Sequence, residues 1–148
     1  MREILFRGKA INRDKGEFRT KYKNGDWVYG LITRPYKDMF PTLPMEFRNE
    51  NGVDGIEVDY KTVGQFTGLT DKNGKKIFEG DIIKSKSGNT YLIHFNDGSF
   101  AFADKDRIVV NYSLDDSEFG IAYKGICDGH EVIGNVFDNP ELLEKDNA

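Results

Sequence analysis

Few residues of this 148-residue chain have the types and spacing of a metal site. Cys127 and His130 form a Cys-x-x-His pattern, and His94 is the other of the chain's two histidines. A structural zinc ion is held by about four such ligands and a catalytic one by about three. The two neighbouring ligands therefore make half a site, and we predict no intrinsic metal.

A second candidate is the segment Asp71-x-Asn73-Gly74, which has the spacing that opens a calcium-binding loop. The acidic ligand that closes such a loop is missing, because Glu79 comes too early for it. An Asn-Gly pair tolerates the positive φ angles of a tight hairpin. The sequence therefore predicts a chain reversal at Asn73-Gly74 in place of a cation site.

Patterns of nucleophilic catalysis are absent from the sequence. It contains neither a Gly-x-Ser-x-Gly elbow nor a glycine-rich phosphate loop. His94 falls in an alternating segment and is interpreted as a sheet-face residue, and the acidic pairs Asp104/Asp106 and Asp115/Asp116 lie in polar stretches that water would solvate. We predict a protein that is not an enzyme, with no catalytic residue and no cofactor.

The elements that would position any site are strands. Sixteen glycines stand mostly between short segments rich in Val, Ile, Phe and Tyr, which is typical of strands joined by tight turns. A short helix is predicted near the C-terminus, with Asn139 as its N-cap and Pro140 in its first position. The predicted strands are 3–7, 26–32, 58–60, 63–67, 76–78, 80–84, 90–95, 99–103, 107–112 and 131–137.

Residues 34–53 are predicted to be a long irregular excursion. Pro35, Pro41 and Pro44 fall within ten residues, and proline has no N–H to donate to a sheet. The apolar side chains of this excursion either cover a sheet edge or form a flap that binds a partner. These candidate protein-interaction residues are Met39, Phe40, Leu43, Met45 and Phe47.

Charge divides the chain into two territories. Residues 1–48 hold eleven Lys/Arg against six Asp/Glu, and the remainder holds ten against nineteen, which gives the net charge of −4. A basic segment with aromatic residues suggests nucleic-acid binding as an alternative function, although the pI of 5.2 weighs against it. The candidate residues for that alternative are Arg7, Lys9, Arg13, Arg19, Lys21 and Trp27.

The compartment is predicted from two further features. No apolar run approaches the ~18 residues of a membrane span, and the first residues do not form an apolar signal region. Cys127 is the single cysteine, so no disulfide can form within one chain. We expect a cytoplasmic protein without a membrane partner.

Three blocks of the sequence carry a family resemblance: residues 2–9 (REILFRGK), 63–83 (VGQFTGLTDKNGKKIFEGDII) and 132–143 (VIGNVFDNPELL). Together they resemble the YopX family of bacteriophage and prophage proteins. The resemblance implies a phage or prophage origin, a β-rich fold whose later part is an SH3-like barrel, and self-association. It brings no established catalytic or binding residues to this chain.

The sequence therefore predicts a mainly β protein: a short-strand meander with an SH3-like barrel in the later part, an N-terminal β segment and a short C-terminal helix. Residues 1–57 would form the N-terminal segment with the proline-rich excursion, and 58–148 the barrel region. The expected function is that of a phage or prophage accessory protein, a homo-oligomer that binds host or phage proteins in the cytoplasm of a bacterial host. Nucleic-acid binding is the alternative.

Overall fold

A computed structural model describes residues 3–12, 21–35, 45–86, 88–96, 99–103, 109–113 and 129–144. The chain is mainly β, as predicted, and its strands pair antiparallel. Two compact units divide at 65/66, whereas the boundary expected from the sequence was 57/58.

The first unit contains β1 (Phe6–Ala10), β2 (Trp27–Arg34), β3 (Met45–Asn49) and the start of β4 (Ile56–Thr70). β1 pairs with both β2 and β4, and β3 also pairs with both of them. The four pairings form a closed circuit. Its buried cluster consists of Ala10, Val28, Met45, Phe47, Ile56 and Val58.

The prediction of an irregular excursion over 34–53 is wrong at both of its ends. β2 continues to Arg34, and β3 occupies Met45–Asn49. All three prolines precede Met45, so every residue of β3 has a backbone N–H for strand pairing. Met45 and Phe47 alternate with Glu46 and point into the core, as one face of a strand requires.

Close backbone approach explains a glycine in the middle of β2. A Cβ on Gly30 would lie 1.9 Å from the backbone oxygen of Arg48 in β3. No side chain fits there unless the two strands separate.

The second unit contains the end of β4, which pairs with β5 (Lys76–Phe78), and a sheet of order β10-β6-β7-β8-β9. The strands of this sheet are β6 (Asp81–Lys84), β7 (Thr90–Asn96), β8 (Ser99–Ala103), β9 (Val109–Ser113) and β10 (Glu131–Asn135). Four isoleucines of β5, β6 and β7 are fully buried: Ile77, Ile82, Ile83 and Ile93.

The predicted C-terminal helix is present as α1 (Glu141–Glu144). It packs closely on β10, since a Cβ on Gly134 would lie 2.5 Å from Asn139 Oδ1 and 3.0 Å from Leu142 Cδ1. The Leu142 amide donates to the Asn139 carbonyl, which places Asn139 at the start of the helix as expected.

One five-residue turn occurs at three hairpins. In the turn 71–75, Asp71 Oδ1 accepts from the backbone N–H groups of Asn73 (2.8 Å) and Lys75 (2.9 Å), and Gly74 has a φ of 82°. This confirms the chain reversal predicted at Asn73-Gly74. The turn 49–53 repeats the arrangement, with Asn49 Oδ1 in the place of the carboxylate.

The third copy of the turn is 85–89, between β6 and β7. Ser85 Oγ accepts from the Asn89 backbone N–H, and Gly88 has a φ of 92°. In all three copies the first residue donates its N–H to the carbonyl of the fifth, and the glycine in fourth position donates to the carbonyl of the first. A short polar side chain followed three residues later by glycine is the shared signal.

Candidate protein-interaction surface

The predicted interaction residues do not form one exposed patch. Met45 is 7% exposed and Phe47 is fully buried, and both belong to the core of the first unit. They are therefore not available to a partner, and their place in the predicted interface is wrong. Met39, Phe40 and Leu43 lie outside the described residues.

An exposed apolar row lies on β2 instead. Val28, Gly30 and Ile32 face the core or pack against it, and the alternate residues Tyr29 and Leu31 are 37% and 47% exposed. Because successive strand residues point to opposite faces, these two side chains share the face that turns away from the core. We call this face, with Trp27 at its start, the outer face of β2.

Two ion pairs border this face on the side of β3. Arg48 is opposite Leu31, and its guanidinium holds the Asp54 carboxylate through two hydrogen bonds, of 2.7 and 3.2 Å. The hydrogen bond to Asp54 and then the charge of that carboxylate raise the pKa of Arg48. Arg34 pairs with Glu46 at 2.9 Å. Charges of both signs thus frame the apolar row.

The side of β1 carries basic residues that are already engaged with an aromatic ring. Arg7 Cζ lies 4.6 Å from the centre of the Trp27 ring, and Lys9 Nζ lies 5.4 Å from it. Arg7 is only 5% exposed, so its guanidinium is poorly placed to contact a phosphate backbone. Trp27 therefore makes cation–π contacts with two cations of its own chain.

The remaining nucleic-acid candidates divide between two regions. Lys21 is exposed, whereas Arg13 and Arg19 lie outside the described residues. The structure therefore brings Arg7, Lys9 and Trp27 together.

The described residues that were candidates for metal binding or catalysis do not form a common site. Among the residues that the structure describes, no three His, Cys, Asp or Glu side chains gather closely enough to hold a metal ion. His130 is buried, with its ring 6.1 Å from that of Tyr91, while Cys127 lies outside the described range. His94 Nε2 is buried without a hydrogen-bond partner among the described atoms.

Both carboxylate oxygens of Asp71 accept hydrogen bonds from backbone N–H groups. Oδ1 holds the turn 71–75, and Oδ2 accepts from the Val132 N–H of β10 at 2.9 Å. Burial alone would raise the pKa of Asp71, but the hydrogen bonds from Val132, Lys75 and Asn73 outweigh it, so the pKa is lowered. The carboxylate is therefore a structural acceptor that links the hairpin to the outer edge of β10.

The sequence contains a signal for the outer face of β2 that the predicted interaction residues do not include. In WVYGLITR, apolar residues occupy both alternating positions, so a strand with one buried face must expose the other apolar set. No helix among the described residues is long and apolar enough to span a bilayer.

Comparison with known proteins identifies a family and related solved structures. The family model described as YopX protein matches residues 11–144. The chain is similar to protein EF1440 from Enterococcus faecalis, whose crystal structure aligns with a TM-score of 0.54 at 24% sequence identity. That alignment covers 97% of this chain and 99% of the other. At such an identity the likeness shows the fold alone, and no curated protein matches the chain.

Proposed function

Since the chain belongs to the YopX family, we propose that it is a non-catalytic accessory protein of bacteriophage or prophage origin. It acts in the cytoplasm of a bacterial host by binding proteins, including a second copy of itself. The outer face of β2 is the contact surface.

The exposure of Tyr29 and Leu31 on a paired, ordered strand is the observation that carries this proposal. Fully burying a leucine side chain contributes roughly 1.5–3 kcal/mol, and tyrosine is enriched at interface hot spots. The bordering Arg48–Asp54 and Arg34–Glu46 pairs are exposed, so they add little energy and mainly set orientation. Because this border carries both charges, it can face a second copy of itself.

The test is Leu31→Glu, measured by light scattering after size-exclusion chromatography. In a two-fold contact each substitution occurs twice, so we expect at least a tenfold weaker self-association, which corresponds to about 1.4 kcal/mol. A folded variant that associates as tightly as the wild type would show that this face is not the contact.

Phe95→Glu is the matched control. Phe95 is 49% exposed, close to the value for Leu31, and it also lies on a strand. We expect this variant to associate like the wild type. If both variants weaken association equally, general surface hydrophobicity is responsible and the proposed surface is wrong.

Nucleic-acid binding is the second candidate, and one observation favours it: Arg7, Lys9 and Trp27 form a basic aromatic cluster on the first unit. The burial of Arg7 favours the protein-binding proposal over it. Retention of a mixed nucleic-acid pool at low salt decides the matter, because phosphate contacts weaken steeply with added salt. No retention would exclude this candidate.

We further propose that the second unit has an SH3-like barrel topology. The support is the meander β6-β7-β8-β9 with β10 added beside β6, and the short strands connected by tight turns. An experimental structure of residues 66–148 within the full chain would test it. Strands that form an open sheet there would contradict the proposal.

A further inference from the structure

This chain contains three Asn-Gly sequences, at 24–25, 51–52 and 73–74. Such sequences are prone to deamidation, and the turns that contain them control its rate. The backbone nitrogen of the glycine can attack Cγ of the asparagine side chain. A C–N bond forms, the Cγ–Nδ2 bond breaks, and ammonia leaves with the glycine amide proton. Water then opens the five-membered succinimide at either carbonyl, which yields aspartate or isoaspartate.

The hydrogen bonds of the native turns oppose this attack. Gly52 N–H donates to the Asn49 carbonyl and Gly74 N–H to the Asp71 carbonyl, each at 3.0 Å. Both nitrogens are thus held by their own turns and must be released before they can approach an asparagine side chain. The rate at each site therefore depends on how often its turn opens.

Turns 49–53 and 71–75 share one geometry but differ in how they are secured. Both have the same four local hydrogen bonds. Two further hydrogen bonds attach turn 71–75 to β10 and to His130, the residue before that strand. The Val132 N–H donates to Asp71 Oδ2, and the Lys72 N–H donates to the His130 carbonyl (3.0 Å). Its acceptor is also a carboxylate, and hydrogen bonds to an ionised acceptor are stronger than those to an amide.

Turn 49–53 has a weaker outer attachment. Asn49 Nδ2 donates to the Tyr22 hydroxyl at 3.2 Å, and the Arg48–Asp54 pair that flanks the turn is exposed, so it adds little to its stability. At 24–25, by contrast, Asn24 Oδ1 accepts from the Asn12 N–H, and Gly25 N–H donates to the Ala10 carbonyl of β1.

We propose that Asn51 is the native deamidation site of this protein, with water as the co-reactant, and that Asn73 is protected by the attachment of its turn to β10. The reaction adds a negative charge inside the loop that the Arg48–Asp54 pair closes. Formation of isoaspartate also adds a methylene to the backbone of the β3–β4 turn.

Peptide mapping by mass spectrometry on the full chain, incubated at mildly alkaline pH, tests the proposal. In the folded protein we expect Asn51 to convert about tenfold faster than Asn73, which is about 1.4 kcal/mol of difference in opening. In denaturant the two rates should be nearly equal, because glycine follows both asparagines. A folded-state ratio equal to the denatured one, or a faster reaction at Asn73, would overturn the proposal.

Asp71→Asn supplies the second arm. It removes the ionised acceptor that faces Val132, so conversion of Asn73 should accelerate several-fold while that of Asn51 stays unchanged. An unchanged Asn73 rate in the folded variant would contradict the protection. If the variant does not fold, the ratio of the two rates in the wild type still decides.

Discussion

At the residue scale, Asp71 connects stability to pH. Its folded-state pKa is lowered below the unfolded value, so its contribution is complete above the unfolded pKa of about 3.9 and is lost as pH falls through the folded pKa. We expect Asp71→Asn to reduce the free energy of unfolding by about 1–3 kcal/mol at neutral pH, because the Val132 N–H then faces an amide.

Denaturant unfolding of both proteins across acidic pH measures this effect. The difference between wild type and Asp71→Asn should shrink as pH drops below about 4. Asp59→Asn is the control, since Asp59 Oδ1 accepts one local bond from the Lys61 N–H, and its effect should be small throughout. A difference between wild type and Asp71→Asn that does not change with pH would contradict the role assigned to the ionised carboxylate.

The role of Asp71 in its turn could be predicted in part. The Asn-Gly pair after it indicated the reversal, and the structure confirms a positive φ at Gly74. The bond to Val132 could not be predicted, because nothing local to Asp71 indicates a donor so distant in the sequence. The pattern Asx-x-Asn-Gly predicts the partners of Asp71 Oδ1 within the turn but not the partner of Oδ2.

At the scale of elements, the approach of β2 to β3 makes Gly30 sensitive to substitution. Its missing Cβ would lie 1.9 Å from the Arg48 backbone oxygen, and a backbone atom cannot rotate away as a side chain does. We expect Gly30→Ala to reduce the free energy of unfolding by roughly 3 kcal/mol, at the upper end for overpacking.

Gly8→Ala in β1 is the comparison for this prediction. Its Cβ would meet Val63 Cγ2 at 3.1 Å and Val58 Cβ at 3.3 Å. Both are side-chain atoms that can yield by a few tenths of an ångström, so we expect a loss of about 1 kcal/mol. Chemical denaturation gives both values. Equal losses for the two variants would show that the β2–β3 approach is not especially close in solution.

The strand β3 shows where reading elements from sequence fails. Three prolines shortly before Met45 favour an irregular segment, whereas Met45, Glu46 and Phe47 alternate as one face of a strand requires. Once β3 is in place, its apolar residues belong to the core and not to an interface. The strands over 76–78 and 99–103, which have no proline nearby, were predicted with the observed bounds.

At the scale of the whole molecule, the two charge territories should orient self-association and the apolar row should hold it. At ~1 M salt the screening length is only about 3 Å, so exposed ion pairs lose most of their effect. We therefore expect added salt to weaken association only partly, and light scattering across a salt series measures this. Complete dissociation at high salt would indicate a contact made by charges alone.

The mainly β class of the molecule was readable from its glycines and β-branched residues, but the closed circuit of β1 to β4 was not. That circuit depends on β1 pairing with β4, which joins residues such as Phe6 and Gln65. Hydrophobic alternation identifies a strand and its buried face without naming its neighbours. Partner choice over such separations is decided by the assembled core.

The hydrogen bond from Val132 to Asp71 also has a consequence in time. The two residues are 61 positions apart, and a ribosome delivers the first well before the second, at about 5–20 residues per second. The β4–β5 hairpin is therefore synthesised before β10. Because β10 is an end strand of its sheet, its Val132 N–H points outward, and the Asp71 carboxylate that accepts from it has already been synthesised. One outward N–H of this end strand therefore has its acceptor in place as soon as β10 forms, which reduces the unpaired backbone that an edge strand offers to other chains.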